Sequence, residues 1–135
     1  MTTAVDTNIL LDVFGADPTF GQRSKAAVRA SLAQGRLVAC EAVWAEVASF
    51  FPSTAAASES LGRIGIEFSS LTEEASLAAG AAWRAYRERG GSRERVVADF
   101  LIGAHASHQA DRLLTRDRGF YRSHFSRLRV LDPAA

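Results

Sequence analysis

Short apolar segments alternate with helical patterns along this sequence, and that alternation restricts the possible folds more than any other feature. Strand-like segments are expected at residues 2–5, 37–39, 65–68, 112–114 and 128–131. Strands that alternate with helices in this way are typical of a parallel sheet covered by helices. We therefore predict an α/β fold, a three-layer α/β/α sandwich with a mostly parallel, short-stranded sheet, in a single domain over residues 1–135.

The helices are predicted from apolar spacing, capping residues and helix-breaking residues. Helical segments are expected at residues 8–14, 21–34, 41–51, 53–64, 72–89 and 92–109, with a short turn or helix at residues 120–121. Pro52 should end the third helix, and Gly90 with Gly91 should end the fifth. Ser92 is expected to cap the sixth helix.

Composition excludes several classes of protein. The 135 residues carry a formal net charge of +1, which argues against a protein that coats nucleic acid. The start lacks the basic segment of a secretory signal, and no apolar run approaches the roughly 18 residues that a membrane span needs. Cys40 is the only cysteine, so an internal disulfide is excluded. We expect a cytoplasmic protein that does not associate with membranes.

Charge is unevenly distributed along the chain. Residues 84–129 contain eleven arginines and five acidic residues. Such a basic rim could hold phosphates around an acidic centre. The first candidates for nucleic-acid contacts are the arginines close in sequence to two of the acids discussed next: Arg95, Arg112, Arg116 and Arg118.

Four acidic residues lie where the predicted sheet would bring them together. Asp6 follows the first strand, Asp117 follows the fourth, and Glu46 lies in the helix after the second. Asp99 lies early in the helix before the fourth strand, where the helix N-terminus would stabilise its charge. Because the carboxyl ends of parallel strands share one edge, we expect these acids to meet there.

The four carboxylates together indicate a magnesium site for phosphodiester hydrolysis. Closely packed acids repel each other, and a divalent cation relieves that repulsion. Mg²⁺ is usually held through one or two carboxylates, and it activates one of the waters that it keeps. We predict Asp6 and Asp99 as direct ligands and Asp117 as a ligand through water. Glu46 is predicted to orient or deprotonate the attacking water, although spacing alone leaves this division of roles open.

Four segments resemble the motifs of PIN domains, in the order and spacing of that family. They are Val5–Leu11, Val43–Val47, Arg95–Ala106 and Leu113–Asp117, and the third is especially similar to VapC toxins. The resemblance implies a Mg²⁺- or Mn²⁺-dependent ribonuclease that is the toxin of a type II toxin–antitoxin pair. It also implies a homodimer, an RNA substrate and inhibition by a small antitoxin protein.

By motif position the resemblance implies the same four catalytic acids: Asp6, Glu46, Asp99 and Asp117. It further implies polar support from Thr7, Asn8 and Thr115. Whether the site holds one metal ion or two stays open, because Arg118, Gly119 and Phe120 follow the last acid where some PIN domains have another.

Other interpretations of individual acids are simpler. Asp12, Asp17 and Asp132 are expected to be helix caps or surface residues. Glu41 competes with Glu46 as the acid of the third helix, but it falls at the helix start, where the helix dipole alone favours an acid.

Two alternative functions remain at this point. One is a housekeeping RNA-processing PIN nuclease that has no antitoxin. The other is a receiver-like Mg²⁺-binding signalling module, which would need an acidic pair near its start and a lysine after a late strand. The only lysine here is Lys25, which disfavours that module.

Overall fold

The predicted strands form one parallel sheet. A computed structural model describes residues 1–92 and 95–134, and every strand pairing within them is parallel. The strands are β1 Thr2–Val5, β2 Arg36–Ala39, β3 Glu67–Phe68, β4 Arg112–Leu114 and β5 Val130–Leu131, in the order β3-β2-β1-β4-β5. The predicted α/β class with a parallel sheet is confirmed, and β1 is its central strand.

Helices connect and cover these strands. They are α1 Thr7–Phe14, α2 Gly21–Gln34, α3 Glu41–Ala48, α4 Thr54–Ile64, α5 Glu73–Glu88, α6 Val97–Gln109 and α7 Arg118–His124. From β1 the chain moves to β2 and β3 on one side, and then crosses to β4 and β5 on the other. Right-handed crossovers therefore place α1 and α2 on one face and α5 and α6 on the opposite face. α3 contacts both α1 and α6. Among the described residues, no helix is long and apolar enough to cross a membrane.

The centre of the sheet is buried on both faces. Ala4 and Val5 of β1 and Leu113 and Leu114 of β4 are each at most 2% exposed. Strands that helices cover on both sides have apolar residues at successive positions, as these do. The carboxyl ends of β1 and β4 are therefore firmly held, and so are the residues that follow them.

The third helix is shorter than predicted. α3 ends at Ala48 rather than at Phe51. The Phe50 N–H donates to the carbonyl oxygen of Val47, three residues earlier, at 3.1 Å. Pro52 disfavours the helical conformation for the residue before it, so the chain leaves the helix through this tight turn.

The sixth helix begins after Val96, so the predicted cap at Ser92 is wrong. The Ser92 carbonyl oxygen instead accepts the hydroxyl of Tyr86 at 2.7 Å. The Asp99 carboxylate accepts the N–H of Val96 at 3.1 Å and so closes the helix N-terminus at that residue. Residues 93–94 of the predicted helix lie outside the described residues.

Both edge strands are shorter than predicted. The sequence predicts Gly65 in β3, but Gly65 follows α4 with a left-handed φ of 91° and ends that helix. The sequence predicts Leu128 in β5, but the Leu128 N–H donates to the Phe125 carbonyl oxygen at 3.0 Å in a turn. These turns leave two residues in each strand to pair with β2 and β4.

Candidate active site

The candidate site lies at the carboxyl ends of β1 and β4. These strands are neighbours, and Val5 is in register with Leu114. The sheet order changes direction between them, which makes this edge the topological switch point where α/β sheets bind ligands. Asp6 directly follows β1, and its N–H donates to the Leu114 carbonyl oxygen at 2.9 Å. Thr115 follows β4 in the same way, so both residues enter one crevice.

Asp6 is buried in this crevice, with 6% of its surface exposed. Its Oδ1 accepts the Thr7 N–H at 2.7 Å. Its Oδ2 accepts the Thr115 hydroxyl at 2.8 Å and the Asn8 amide at 3.3 Å, so all three residues predicted as polar support contact this carboxylate. Burial nevertheless raises the pKa of Asp6 to about 6, and the nearby charge of Asp99 contributes to the increase.

Glu46 reaches the crevice from α3, which begins directly after β2. Its Oε1 accepts the Thr7 hydroxyl at 2.7 Å, and its side chain is exposed. The competing Glu41 accepts the Ser70 hydroxyl at 2.7 Å and the Leu71 N–H at 2.9 Å. Those bonds tie Glu41 to the segment after β3, so Glu46 is the acid of α3 that lies beside the neighbours of Asp6.

Asp99 and Asp117 lie on either side of one arginine. The Nη1 atom of Arg95 is 2.5 Å from Oδ2 of Asp117 and 3.9 Å from Oδ1 of Asp99. The hydrogen bond to Asp117 raises the pKa of Arg95. The same guanidinium lies 4.3 Å from the centre of the Phe120 ring. The positively charged guanidinium of Arg95 therefore lies between Asp99 and Asp117, two of the predicted metal ligands.

Tyr121 is a site residue that the sequence analysis did not identify. It lies in α7 and is 1% exposed. Burial raises the pKa of its hydroxyl well above the usual value, and the charges of Asp6, Asp99 and Asp117 raise it further. Acids from three different elements thus act on one hydroxyl. Its spacing of four residues from Asp117 was the available signal, because residues four apart share one side of a helix.

A comparison with protein families identifies the fold around this crevice. The family model described as the PIN domain matches residues 3–125. This chain belongs to the PIN-domain family. PIN domains are nucleases that generally use divalent metal ions, so membership supports a hydrolase that acts on nucleic acid.

Solved structures similar to this PIN domain agree with the assignment. VapBC2 from Rickettsia felis, bound to a DNA fragment from its promoter, matches with 17% identity and a TM-score of 0.75 over 98% of both chains. VapBC-1 from nontypeable Haemophilus influenzae matches with 19% identity and a TM-score of 0.74 over 100% of both. A toxin–antitoxin complex from Klebsiella pneumoniae matches with 20% identity and a TM-score of 0.68 over 97% of both. At these identities the similarity establishes the fold. A comparison with curated proteins gives no match.

A second arginine of this PIN domain binds a buried aspartate next to the crevice. Nε and Nη2 of Arg116 donate to the two carboxylate oxygens of Asp12 at 2.7 and 3.0 Å. Asp12 is 4% exposed and also accepts the Ser24 hydroxyl at 2.8 Å. The prediction that Asp12 is a cap or surface residue is wrong, because α1 directs its carboxylate towards α2 and the loop after β4.

The two remaining candidate arginines lie at different ends of the PIN-domain sheet. Arg112 begins β4, is 8% exposed, and donates through Nε to the Thr3 hydroxyl at 2.9 Å. Three steps along extended chain, about 10 Å, separate it from Thr115. Contrary to prediction, Arg112 does not belong to a basic rim around the acids. Arg118 begins α7 on the crevice side, and its side chain is 54% exposed, 3.6 Å from Asp132.

The acids of this PIN domain match Mg²⁺ in their chemistry. Carboxylate oxygens are ligands that Mg²⁺ prefers, and the raised pKa of Asp6 indicates a negative charge that lacks compensation. Within residues 1–92 and 95–134, however, no three His, Cys, Asp or Glu side chains converge closely enough to hold an ion. Because Arg95 contacts both Asp99 and Asp117, its movement away from them would free both carboxylates for a metal.

Proposed function

We propose that this PIN domain is a Mg²⁺-dependent endoribonuclease that hydrolyses RNA phosphodiester bonds as the toxin of a type II toxin–antitoxin pair. The observation that carries the proposal is that Thr115 bonds to both Asp6 and Asp117, while Arg95 lies beside both Asp99 and Asp117, at the switch point of the sheet. Carboxylates brought to one edge of a sheet repel each other, and burial already raises the pKa of Asp6. A divalent cation relieves the repulsion and suits a phosphodiester substrate.

Each acid has a role in this proposal. Asp6 and Asp99 would bind the cation directly, and Asp117 would bind it through water after Arg95 has moved away. Glu46, exposed and hydrogen-bonded to α1, would orient or deprotonate the attacking water. Bound Mg²⁺ would supply positive charge to the phosphoryl oxygens and lower the pKa of a water. Mn²⁺, which also accepts oxygen ligands, would substitute for it.

The toxin role is supported by the solved structures that share this fold. They include two VapBC proteins and a toxin–antitoxin complex, each aligned over at least 97% of both chains. We therefore propose a small antitoxin protein as the partner. The resemblance to VapC toxins also leads us to propose a homodimer as the assembly. The receiver-like alternative is wrong, because such modules have the strand order 2-1-3-4-5, whereas this sheet has the order β3-β2-β1-β4-β5.

Cleavage of a defined single-stranded RNA by the purified chain tests the nuclease. We expect cleavage with Mg²⁺ or Mn²⁺, none in EDTA, and none by Asp99→Asn. Glu59→Gln is the matched control, because Glu59 is an exposed acid that pairs with Arg63 on α4. Cleavage that persists in EDTA, or in the Asp99→Asn protein, would contradict the proposal.

Growth of cells that express the chain tests the toxin role separately. We expect the wild type to arrest growth, Asp99→Asn to leave growth unaffected, and a small protein encoded by the neighbouring gene to restore growth. A chain that cleaves RNA in vitro without arresting growth would instead favour the housekeeping nuclease.

A further inference from the structure

The three residues after β4, here named the 115–117 loop, carry two parts of the proposed site. The Thr115 hydroxyl donates to Asp6 at 2.8 Å and accepts the Asp117 N–H at 3.0 Å. The position of this loop therefore sets where both Thr115 and Asp117 stand relative to Asp6.

Arg116, the middle residue of the loop, fastens it to α1 at two points. Its N–H donates to the Asn8 Oδ1 atom at 3.3 Å. Its guanidinium makes two parallel hydrogen bonds to Asp12, and Ser24 of α2 holds the same carboxylate. The guanidinium also lies 4.0 Å from the centre of the Phe20 ring, which further restricts its orientation.

Burial distinguishes this pair from a surface ion pair. The Asp12 side chain is 5% exposed and the Arg116 side chain is 30% exposed. A guanidinium that leaves such a partner strands a buried carboxylate, which is strongly unfavourable. Arg116 is therefore poorly suited to leave Asp12 and contact a substrate phosphate.

We propose that Asp12 and Arg116 are positioning residues, whose ion pair holds Thr115 against Asp6 and keeps Asp117 at the crevice. The expected effect on catalysis rests on the proposed nuclease function, whereas the effect on the loop does not. The competing explanation is that Arg116 contacts an RNA phosphate and that its bonds to Asp12 are incidental.

Arg116→Lys separates these explanations. Lysine keeps the charge but lacks the planar fork that makes two parallel bonds to one carboxylate. If Arg116 positions the loop, kcat should fall by about tenfold to a hundredfold, because small displacements in a site are that costly. RNA affinity and its salt dependence should stay unchanged. A phosphate contact would tolerate this substitution, since lysine also binds phosphate, so unchanged kcat would overturn the proposal.

Asp12→Asn tests the other member of the pair. We expect the same loss of kcat as in Arg116→Lys, and no further loss in the double variant, because both changes break one interaction. Unchanged cleavage together with tighter RNA binding would indicate a released phosphate-binding arginine and would also overturn the proposal. Arg36→Gln is the control, because Arg36 forms an exposed pair with Glu67 at the amino end of β2.

Amide hydrogen exchange tests the loop without any cleavage assay. In the metal-free protein the Asp117 N–H should exchange several-fold faster in Asp12→Asn and Arg116→Lys, while amides of β2 stay as protected as in the wild type. This result would support the positioning role even if the wild type cleaved no RNA. Wild-type exchange at Asp117 in both variants would overturn it, and thermal unfolding confirms that each variant is folded.

Discussion

Two arginine–aspartate pairs adjoin the 115–117 loop, and they use the same chemical groups in different surroundings. In the pair between Arg95 and Asp117, the side chains are 31% and 34% exposed, and Arg95 is also close to Asp99. In the pair between Arg116 and Asp12, the acid is 5% exposed and accepts two bonds. The two pairs therefore differ in burial and in the number of hydrogen bonds. On this basis we interpret Arg95 as a counter-ion that a metal can replace and Arg116 as a structural residue.

The difference follows from what each aspartate has to do. Asp117 is proposed to serve a metal, so its contact with Arg95 has to be breakable, and partly exposed pairs contribute only about 1 kcal/mol or less. Asp12 is not proposed to bind a metal, so its pair with Arg116 does not have to break. Removing one member of a buried pair costs about 3–5 kcal/mol, because the other charge is left uncompensated.

Replacing the acids should give the largest contrast between the two pairs. We expect Asp6→Asn, Asp99→Asn and Asp117→Asn to reduce cleavage below detection, because each removes a proposed metal ligand. Asp12→Asn should lose only about tenfold to a hundredfold, because it displaces a loop without removing a ligand. Single-turnover cleavage of one labelled RNA measures all four variants. An Asp117→Asn protein more active than Asp12→Asn would reverse the assignment of the two pairs.

Asp6 differs from both Asp12 and Asp117, because within the described residues no arginine or lysine pairs with it. Its folded-state pKa is about 6, above the ordinary value of 3.8, so the folded state binds its proton more tightly than the unfolded chain. The contribution of Asp6 to the free energy of unfolding should therefore fall as pH rises from about 4 to about 6. Above that range the ionised carboxylate costs at most about 3 kcal/mol.

Asp6→Asn should consequently stabilise the metal-free protein at pH 7.5. Urea unfolding in EDTA measures the effect, and the advantage over the wild type should shrink as pH is lowered towards 4.5. Asp12→Asn is the matched comparison, and we expect it to destabilise the protein because Arg116 loses a charged partner. An Asp6→Asn protein less stable than the wild type at pH 7.5 would show that its hydrogen bonds outweigh its burial.

The positions of the acids could be predicted from sequence because strand ends fix them. Asp6 and Asp117 follow apolar segments that are buried in β1 and β4, and a parallel sheet brings such ends to one edge. The three-layer fold followed from the same alternation of elements. Helix and strand ends were less predictable, because local bonds decide them, such as the bond from the Val96 N–H to Asp99.

The partners of the arginines could not be predicted from sequence. Arg112 and Arg116 are both close to Asp117 along the chain, yet one bonds to Thr3 at the amino end of β1 and the other to Asp12. Which acid an arginine meets depends on how α1 and α2 pack on the sheet, and that packing leaves no local pattern. Tyr121 was missed although its spacing from Asp117 was a local signal, because the sequence does not show that Asp6 and Asp99 also come near its hydroxyl.

Removing Arg95 should strengthen metal binding modestly. In Arg95→Gln no guanidinium competes with Mn²⁺ for Asp117 or repels the metal ion. The affinity for Mn²⁺ should therefore rise by up to about fivefold. Calorimetric titration measures the change, with Arg36→Gln as the comparison that should leave affinity nearly unaltered, because Arg36 forms an exposed pair with Glu67 away from the acids. In the wild type, the side-chain Nε–H NMR signal of Arg95 should shift on metal addition, while that of Arg116 should not. Weaker Mn²⁺ binding by Arg95→Gln would mean that Arg95 supports the metal site rather than competing for it.

Arg118 should show the smallest effect, because its contact with Asp132 is long at 3.6 Å and its side chain is half exposed. Such an arginine is free to contact a phosphate, and each contact with single-stranded RNA contributes about 0.7 to the slope of log affinity against log salt concentration. Arg118→Gln, placed in the inactive Asp99→Asn background, should bind a labelled RNA more weakly and with a slope reduced by about that amount. Arg116→Lys in the same background should keep the slope of its parent, because its charge is retained and is neutralised by Asp12. If Arg118→Gln binds RNA with unchanged affinity and slope, Arg118 does not contact the substrate, and the phosphate-binding surface must be formed by other residues.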